Sequence, residues 1–93
     1  PAGPESRRGR AYIRLTVEDR RGVLADLTAA LRDAGVSIES LIQPAPAGKA
    51  DALVVMLTHE TPELAIQHAL DAMAKLPAVT GTPLYMPILP LRD

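Results

Sequence analysis

Residues 11–24 constrain the fold most. From Ala11 to Glu18 the side chains alternate, with Ile13, Leu15 and Val17 facing one way and Tyr12, Arg14, Thr16 and Glu18 the other. A period of two is the mark of a strand with one buried face. After Asp19-Arg20-Arg21-Gly22 the period changes. Leu24, Leu27, Leu31 and Ala34 are spaced for one face of a helix over residues 23–34. A strand therefore gives way to a helix within a few residues, with a glycine at the helix mouth. Lacking a Cβ, glycine lets another group approach the backbone closely. The first amides of a helix have no intrahelical partners and sit at the positive end of its dipole, so a helix start suits an anion. No Ser, Thr, Asn or Asp stands immediately before Val23 to satisfy them. Asp19, a little upstream, is placed to hold an ammonium group. Donors to a carboxylate beside an acceptor for an amine are what a free α-amino acid requires. The same amides are equally well served by water, or by Asp19 capping them from a distance.

The remaining chain supplies a frame. Gly35 is placed as the C-terminal cap of the first helix. Residues 36–43 read as a second strand, 44–49 (Pro-Ala-Pro-Ala-Gly-Lys) as a turn-rich connection, and 51–59 as a third strand with an apolar middle from Leu53 to Leu57. Thr61-Pro62-Glu63 predicts a second helix, with the threonine hydroxyl as cap and proline at the first helical position. Ile66, Ala69, Leu70 and Met73 form its apolar face, and Leu76-Pro77 ends it. Residues 79–89 are a last strand whose Pro83 and Pro87 confine it to an edge or to bulges. The order βαββαβ predicts an α+β, ferredoxin-like two-layer sandwich: a four-stranded antiparallel sheet with both helices on one face. The first and third strands are central, and the second and last lie at the edges.

Composition narrows the function. The 93 residues carry a formal charge of −1, no cysteine, two tyrosines, and neither Phe nor Trp. Disulfides and thiolate metal sites are excluded, and so is a strongly basic nucleic-acid binder. The order is shared with RNA-binding modules that stack bases on sheet aromatics, but Tyr12 alone makes no such platform. No apolar run approaches the ~20 residues of a membrane helix. His59 and His68 have no spacing that makes a metal pair or a base and nucleophile, so no catalytic or metal-binding residue is assigned. Glu39 is placed to pair with Arg14 across the sheet. Residues 1–10, rich in Pro, Gly, Ser and Arg, have the composition of a linker. They are expected to join a domain over 11–90 to a longer polypeptide, with 91–93 as a tail. Strand three is apolar on both faces and strand two bears few charges. Both features predict a second subunit against the sheet edge or face.

Asp19-Arg20-Arg21-Gly22-Val23-Leu24 and Gly35-Val36-Ser37-Ile38-Glu39-Ser40, in this frame, resemble an ACT domain. Ile38 to Gln43, Leu57-Thr58-His59-Glu60 and Leu76-Pro77-Ala78-Val79 are similar to the C-terminal ACT domain of homoserine dehydrogenases. The resemblance runs from about Tyr12 to Ile88. It implies a cytoplasmic regulatory module of threonine and methionine biosynthesis. The ligand would be a small amino acid, L-threonine first, and the module a homodimer attached to a catalytic domain. NAD(P) would bind only in that catalytic portion, and this chain would hold no cofactor. By position, the ligand site would comprise Asp19, Arg20, Arg21, Gly22, Val23 and Leu24, with Ser37 and Ile38 at the start of strand two, often across a dimer. Arg21 stands where relatives usually have proline, and Ser37 where they often have asparagine. Two further readings are an ACT-type dimerisation module without a ligand and, more remotely, an acylphosphatase-like enzyme using Arg20 or Arg21. The latter lacks an asparagine partner, since the chain has no Asn.

Overall fold

The computed structural model describes residues 7–43 and 51–89. In chain order the elements are β1 (Arg8–Glu18), α1 (Val23–Asp33), β2 (Ile38–Ile42), β3 (Asp51–Thr58), β4 (Thr61–Pro62), α2 (Glu63–Ala74) and β5 (Val79–Ile88). All strand pairs are antiparallel. β3 and β5 flank β1, and β2 lies outside β3. The expected arrangement of central and edge strands is therefore present, with β4 added. Tyr12 stands opposite Leu57 and Gly9 opposite Thr61. β4 thus continues β3 along β1 after one extra residue, a bulge at the His59-Glu60 corner.

Alternation on β1 decides the layering. Ala11, Ile13, Leu15 and Val17 are all buried. They meet Ala52, Val54 and Met56 of β3, Val23, Leu27 and Leu31 of α1, and Ile66, Ala69 and Met73 of α2. Both helices therefore cover the same face. The stripe of α1 that is buried is Val23-Leu27-Leu31. Leu24, expected on that stripe, is turned outward, because Val23 already takes the sheet-facing position in the first turn. Beyond the cap residue Ala34, Gly35 has φ 83° and donates to the Arg32 carbonyl at 3.0 Å, while Val36 donates to Leu31 at 2.9 Å. This is the paired closure that a left-handed glycine permits.

β5 holds its prolines in two ways. Leu84 pairs with Arg14 and Thr80 with Thr16, so the strand bulges around Gly81, which has φ 81°, and Pro83. Pro87 lies opposite Ala11, whose N–H turns the other way, to Thr58 Oγ1 at 3.0 Å. The Pro87 nitrogen therefore faces the free edge, where no donor is needed.

Three local expectations are corrected. β1 begins at Arg8, inside the segment read as linker, because Arg8 and Gly9 pair with Pro62 and Thr61. Thr61 does not cap α2. Pro62 is the cap residue, no side chain caps the helix, and the Thr61 hydroxyl donates to the His59 carbonyl at 2.7 Å. Sheet pairing has claimed Thr61 before the helix starts. Glu39 binds Arg10, not Arg14, because Ser40 lies level with Tyr12 across Leu57, whereas Arg14 lies level with Ile42 across Val55. The expected turn at 44–49 and tail at 91–93 fall outside the described residues.

The face away from the helices is apolar in its middle. Ile42 is 54% exposed, Met86 49%, Leu84 40% and Leu53 37%, with Val55 and Leu57 half-buried among them.

Candidate ligand site at the mouth of helix α1

The loop between β1 and α1 is held by its own backbone. The Glu18 amide donates to the Ala78 carbonyl at 2.7 Å, tying the end of β1 to the entry of β5. Arg20 folds back on Glu18: its amide donates to the Glu18 carbonyl at 3.0 Å and its Nε to Glu18 Oε1 at 2.9 Å. Gly22 then takes φ 88°, a left-handed turn that other residues adopt only at a cost. The Asp26 amide reaches the Gly22 carbonyl at 3.0 Å, and the Val23 amide makes only a long contact of 3.4 Å to Arg20. No side chain caps α1, so Asp19 does not close the helix start as one reading allowed. The amides of Leu24 and Ala25 have no partner among the described residues. A Cβ placed on Gly22 would meet nothing within 4 Å. The mouth of α1 is thus an exposed pair of free donors behind a glycine, suited to a carboxylate.

Asp19, Arg20, Arg21 and Gly22 are exposed around this mouth, Leu24 is partly exposed, and Val23 anchors the turn in the core. Ser37 and Ile38 are elsewhere. Ile38 pairs with Thr58, which accepts the amide of Ala11 near the other end of β1. Ala11 and Glu18 are separated by seven residues of strand, or ~23 Å at about 3.3 Å per residue. One chain therefore brings residues 19–24 together and leaves Ser37 and Ile38 at the far end of the sheet. This follows from the topology: α1 returns the chain to the start of β1 before β2 begins. Ser37 is exposed, and its carbonyl accepts the His59 amide at 2.9 Å.

Sequence reasoning passed over a second polar cluster, formed by Arg7 just before β1, Glu63 of α2 and Tyr85 of β5. Arg7 Nη1 lies 3.6 Å from Glu63 Oε1. Burial first, and then the neighbouring Glu63 carboxylate, raise the Tyr85 phenol above its ordinary value. No local pattern joins these residues, since β1, α2 and β5 meet only in the fold. Among the described residues no group of three or more acidic, His or Cys side chains could hold a metal, and no helix is long and apolar enough to cross a membrane.

Comparison with known proteins agrees with this architecture. The family model described as "ACT domain" matches residues 11–78. A homoserine dehydrogenase of Methylobacillus glycogenes is 42% identical over 71 residues, covering 75% of this chain and 17% of that protein. One from Neisseria gonorrhoeae is 38% identical over 68 residues, covering 73% and 16%. The crystal structure of a homoserine dehydrogenase from Thiobacillus denitrificans superposes with TM-score 0.81 at 32% identity, covering 92% of this chain and 19% of that one. The ACT domain from a GTP pyrophosphokinase of Chlorobium tepidum shares the fold, with TM-score 0.69 at 16% identity, 86% of this chain and 100% of that one being covered. The chain spans about a sixth of the length of the curated relatives it matches. With the family model covering the strand, loop and helix that build the α1 mouth, the chain belongs to the ACT domain family.

Proposed function

We propose that this chain is the regulatory part of a cytoplasmic homoserine dehydrogenase. In this reading it binds a small amino acid, L-threonine first, at the mouth of α1 for feedback control of threonine and methionine biosynthesis. The observation that carries the reading is the uncapped helix start behind Gly22. The Leu24 and Ala25 amides receive the ligand carboxylate and Asp19 its ammonium group. Arg20 and Arg21 border the site. The enzyme's active site and its NAD(P) lie in a catalytic portion outside this chain.

The separation of Ser37 and Ile38 from the loop supports a homodimer. β2 is an edge strand, and its outer side carries unpaired backbone groups. A two-fold axis perpendicular to the sheet would pair two β2 edges antiparallel, inverting one copy relative to the other. The start of β2 in the second copy then lies at the end of the sheet where the first copy has its α1 mouth. Each site would combine residues 19–24 of one copy with Ser37 and Ile38 of the other. Ligand binding would favour one arrangement of the two copies, and the catalytic portion would respond only if that arrangement binds more tightly than its alternative.

Calorimetric titration with L-threonine, beside serine, lysine, isoleucine and methionine, tests this reading, with sedimentation run in parallel. The expected result is a saturable threonine signal that Asp19→Ala removes. A flat trace for every amino acid, on a folded dimer, would select the ligand-free dimerisation module. The presence of Arg21 and Ser37 at the two departures from the family pattern favours that second reading.

A further inference from the structure

The sheet face away from the helices carries apolar side chains around one cation. Arg14 stands opposite Val55 on one side and Leu84 on the other, and Val55 stands opposite Ile42. Tyr12, two residues back along β1, lies between Leu57 and Met86, and Leu53 lies beside Thr16. Paired residues share a face, so these side chains form one surface. Its exposed apolar part is on the order of 400 Å², a size that on a single subunit marks an interaction site. Of the three arginines of β1, Arg8 pairs with Glu60 and Arg10 with Glu39. Arg14 pairs with no carboxylate among the described residues.

We infer that this face docks against the catalytic portion of the parent polypeptide, on an apolar surface that presents one carboxylate to Arg14. The inference rests on the proposed reading that such a portion adjoins this chain. Three arguments select this occupant. The β2-edge dimer extends the sheet in its own plane and leaves the face open. A second copy stacked on the face is opposed by charge, because a two-fold axis through the middle of the patch sets Arg14 against Arg14, both leaving water unpaired. Glu18 already holds Arg20. Asp51 stands opposite Glu18, four residues along β1 from Arg14, or ~13 Å at about 3.3 Å per residue. Moving the axis to Thr16 to reach this acidic end slides Tyr12, Leu57 and Met86 out of the contact. Area gives the third argument. A patch of about 400 Å² is half of the ~800 Å² per partner that independently associating proteins bury, and it suits a contact between domains of one chain, where the tether supplies the effective concentration. The curated relatives, of which this chain spans about a sixth, are long enough to supply such a domain. Covering Arg14 without a carboxylate would strand a charge, so the residue that rejects a second copy also selects the correct partner surface.

Met86 reports on this face. It is 49% exposed, whereas Met56 and Met73, the other two methionines, are fully buried. Oxidation to the sulfoxide by hydrogen peroxide follows exposure, so peptide mass spectrometry gives one reading for the face and two for the core. The 93-residue chain and the parent polypeptide are treated side by side at several protein concentrations. Met86 is expected to oxidise ~5-fold more slowly in the parent than in the chain alone. In the parent, Arg14→Glu should restore the faster rate and Arg14→Lys should keep the slower one. Should Arg14→Glu expose Met56 or Met73, Arg14→Gln carries the same test. Equal Met86 rates in chain and parent, protection that grows with the concentration of the chain alone, or protection in the parent that loss of the Arg14 charge leaves intact would overturn the inference. Turnover of homoserine by the parent is measured separately. Its absence counts against the proposed function, whereas the Met86 rate decides the docking face.

Discussion

Replacing Gly22 by alanine separates what the loop does for stability from what it does for binding. At φ 88° an L-residue meets its own carbonyl, which costs about 1–2 kcal/mol. No steric clash is added, because a Cβ there would have nothing within 4 Å. Alanine also restricts the unfolded chain, which returns about 0.4–1 kcal/mol. The net expectation is a loss of about 1 kcal/mol, or roughly 4–8 °C in Tm for a domain of this size. Gly35→Ala is the matched control: φ is 83°, its Cβ space is also open, and it closes the other end of the same helix. Urea denaturation followed by circular dichroism should therefore give similar losses for the two variants with unchanged m-values. Their threonine titrations should differ. Gly22→Ala adds a methyl group to the loop that borders the free Leu24 and Ala25 amides and strains its left-handed turn, so it should weaken the calorimetric signal, whereas Gly35→Ala, at the other end of the helix, should retain it. The reasoning is refuted if Gly22→Ala is as stable as wild type, or if both variants lose threonine binding in parallel.

Two further perturbations test the core and the Tyr85 cluster. Thr58 is fully buried and accepts the Ala11 amide, so Thr58→Val leaves that N–H without a partner and should cost about 1–3 kcal/mol by urea denaturation, with Thr58→Ser losing distinctly less. Tyr85 has its folded pKa raised above 10.0 by burial and then by Glu63, so the unfolded chain releases its proton first as pH rises. Its stabilising contribution is complete below pH ~10 and is lost as pH climbs from there through the folded value, so Tyr85→Phe should flatten the decline in stability measured across that alkaline window.

The secondary structure was legible wherever the signal was local. Alternation along residues 11–18 made one face of β1 apolar, and that face is the core. Gly22 and Gly35 mark the two ends of α1 because both ends need a positive φ. Pro83 and Pro87 sent β5 to an edge because a proline has no N–H to donate to a neighbouring strand. Where local reading went astray, a partner distant in sequence had intervened. Thr61-Pro62-Glu63 has the chemistry of a helix cap, but Gly9 pairs with Thr61 and takes it into the sheet. Glu39 was matched with the wrong arginine because the register of β2 on β3 and of β3 on β1 sets Ser40 level with Tyr12 and Arg14 level with Ile42, which no local pattern shows.

The candidate sites divide along the same line. The α1 mouth was legible as a candidate, since a glycine before a helix start with no adjacent cap residue is a property of six consecutive residues, whereas the structure decided that Asp19 does not cap it. Only the tertiary structure placed Ser37 and Ile38 at the far end of the sheet, because the direction of β2 is set by how α1 packs and not by anything within β2. The Arg7, Glu63 and Tyr85 cluster was likewise decided by the fold. Local backbone preference acts within a turn or two, whereas register and the meeting of separate elements are fixed by burying one apolar face against two helices at once.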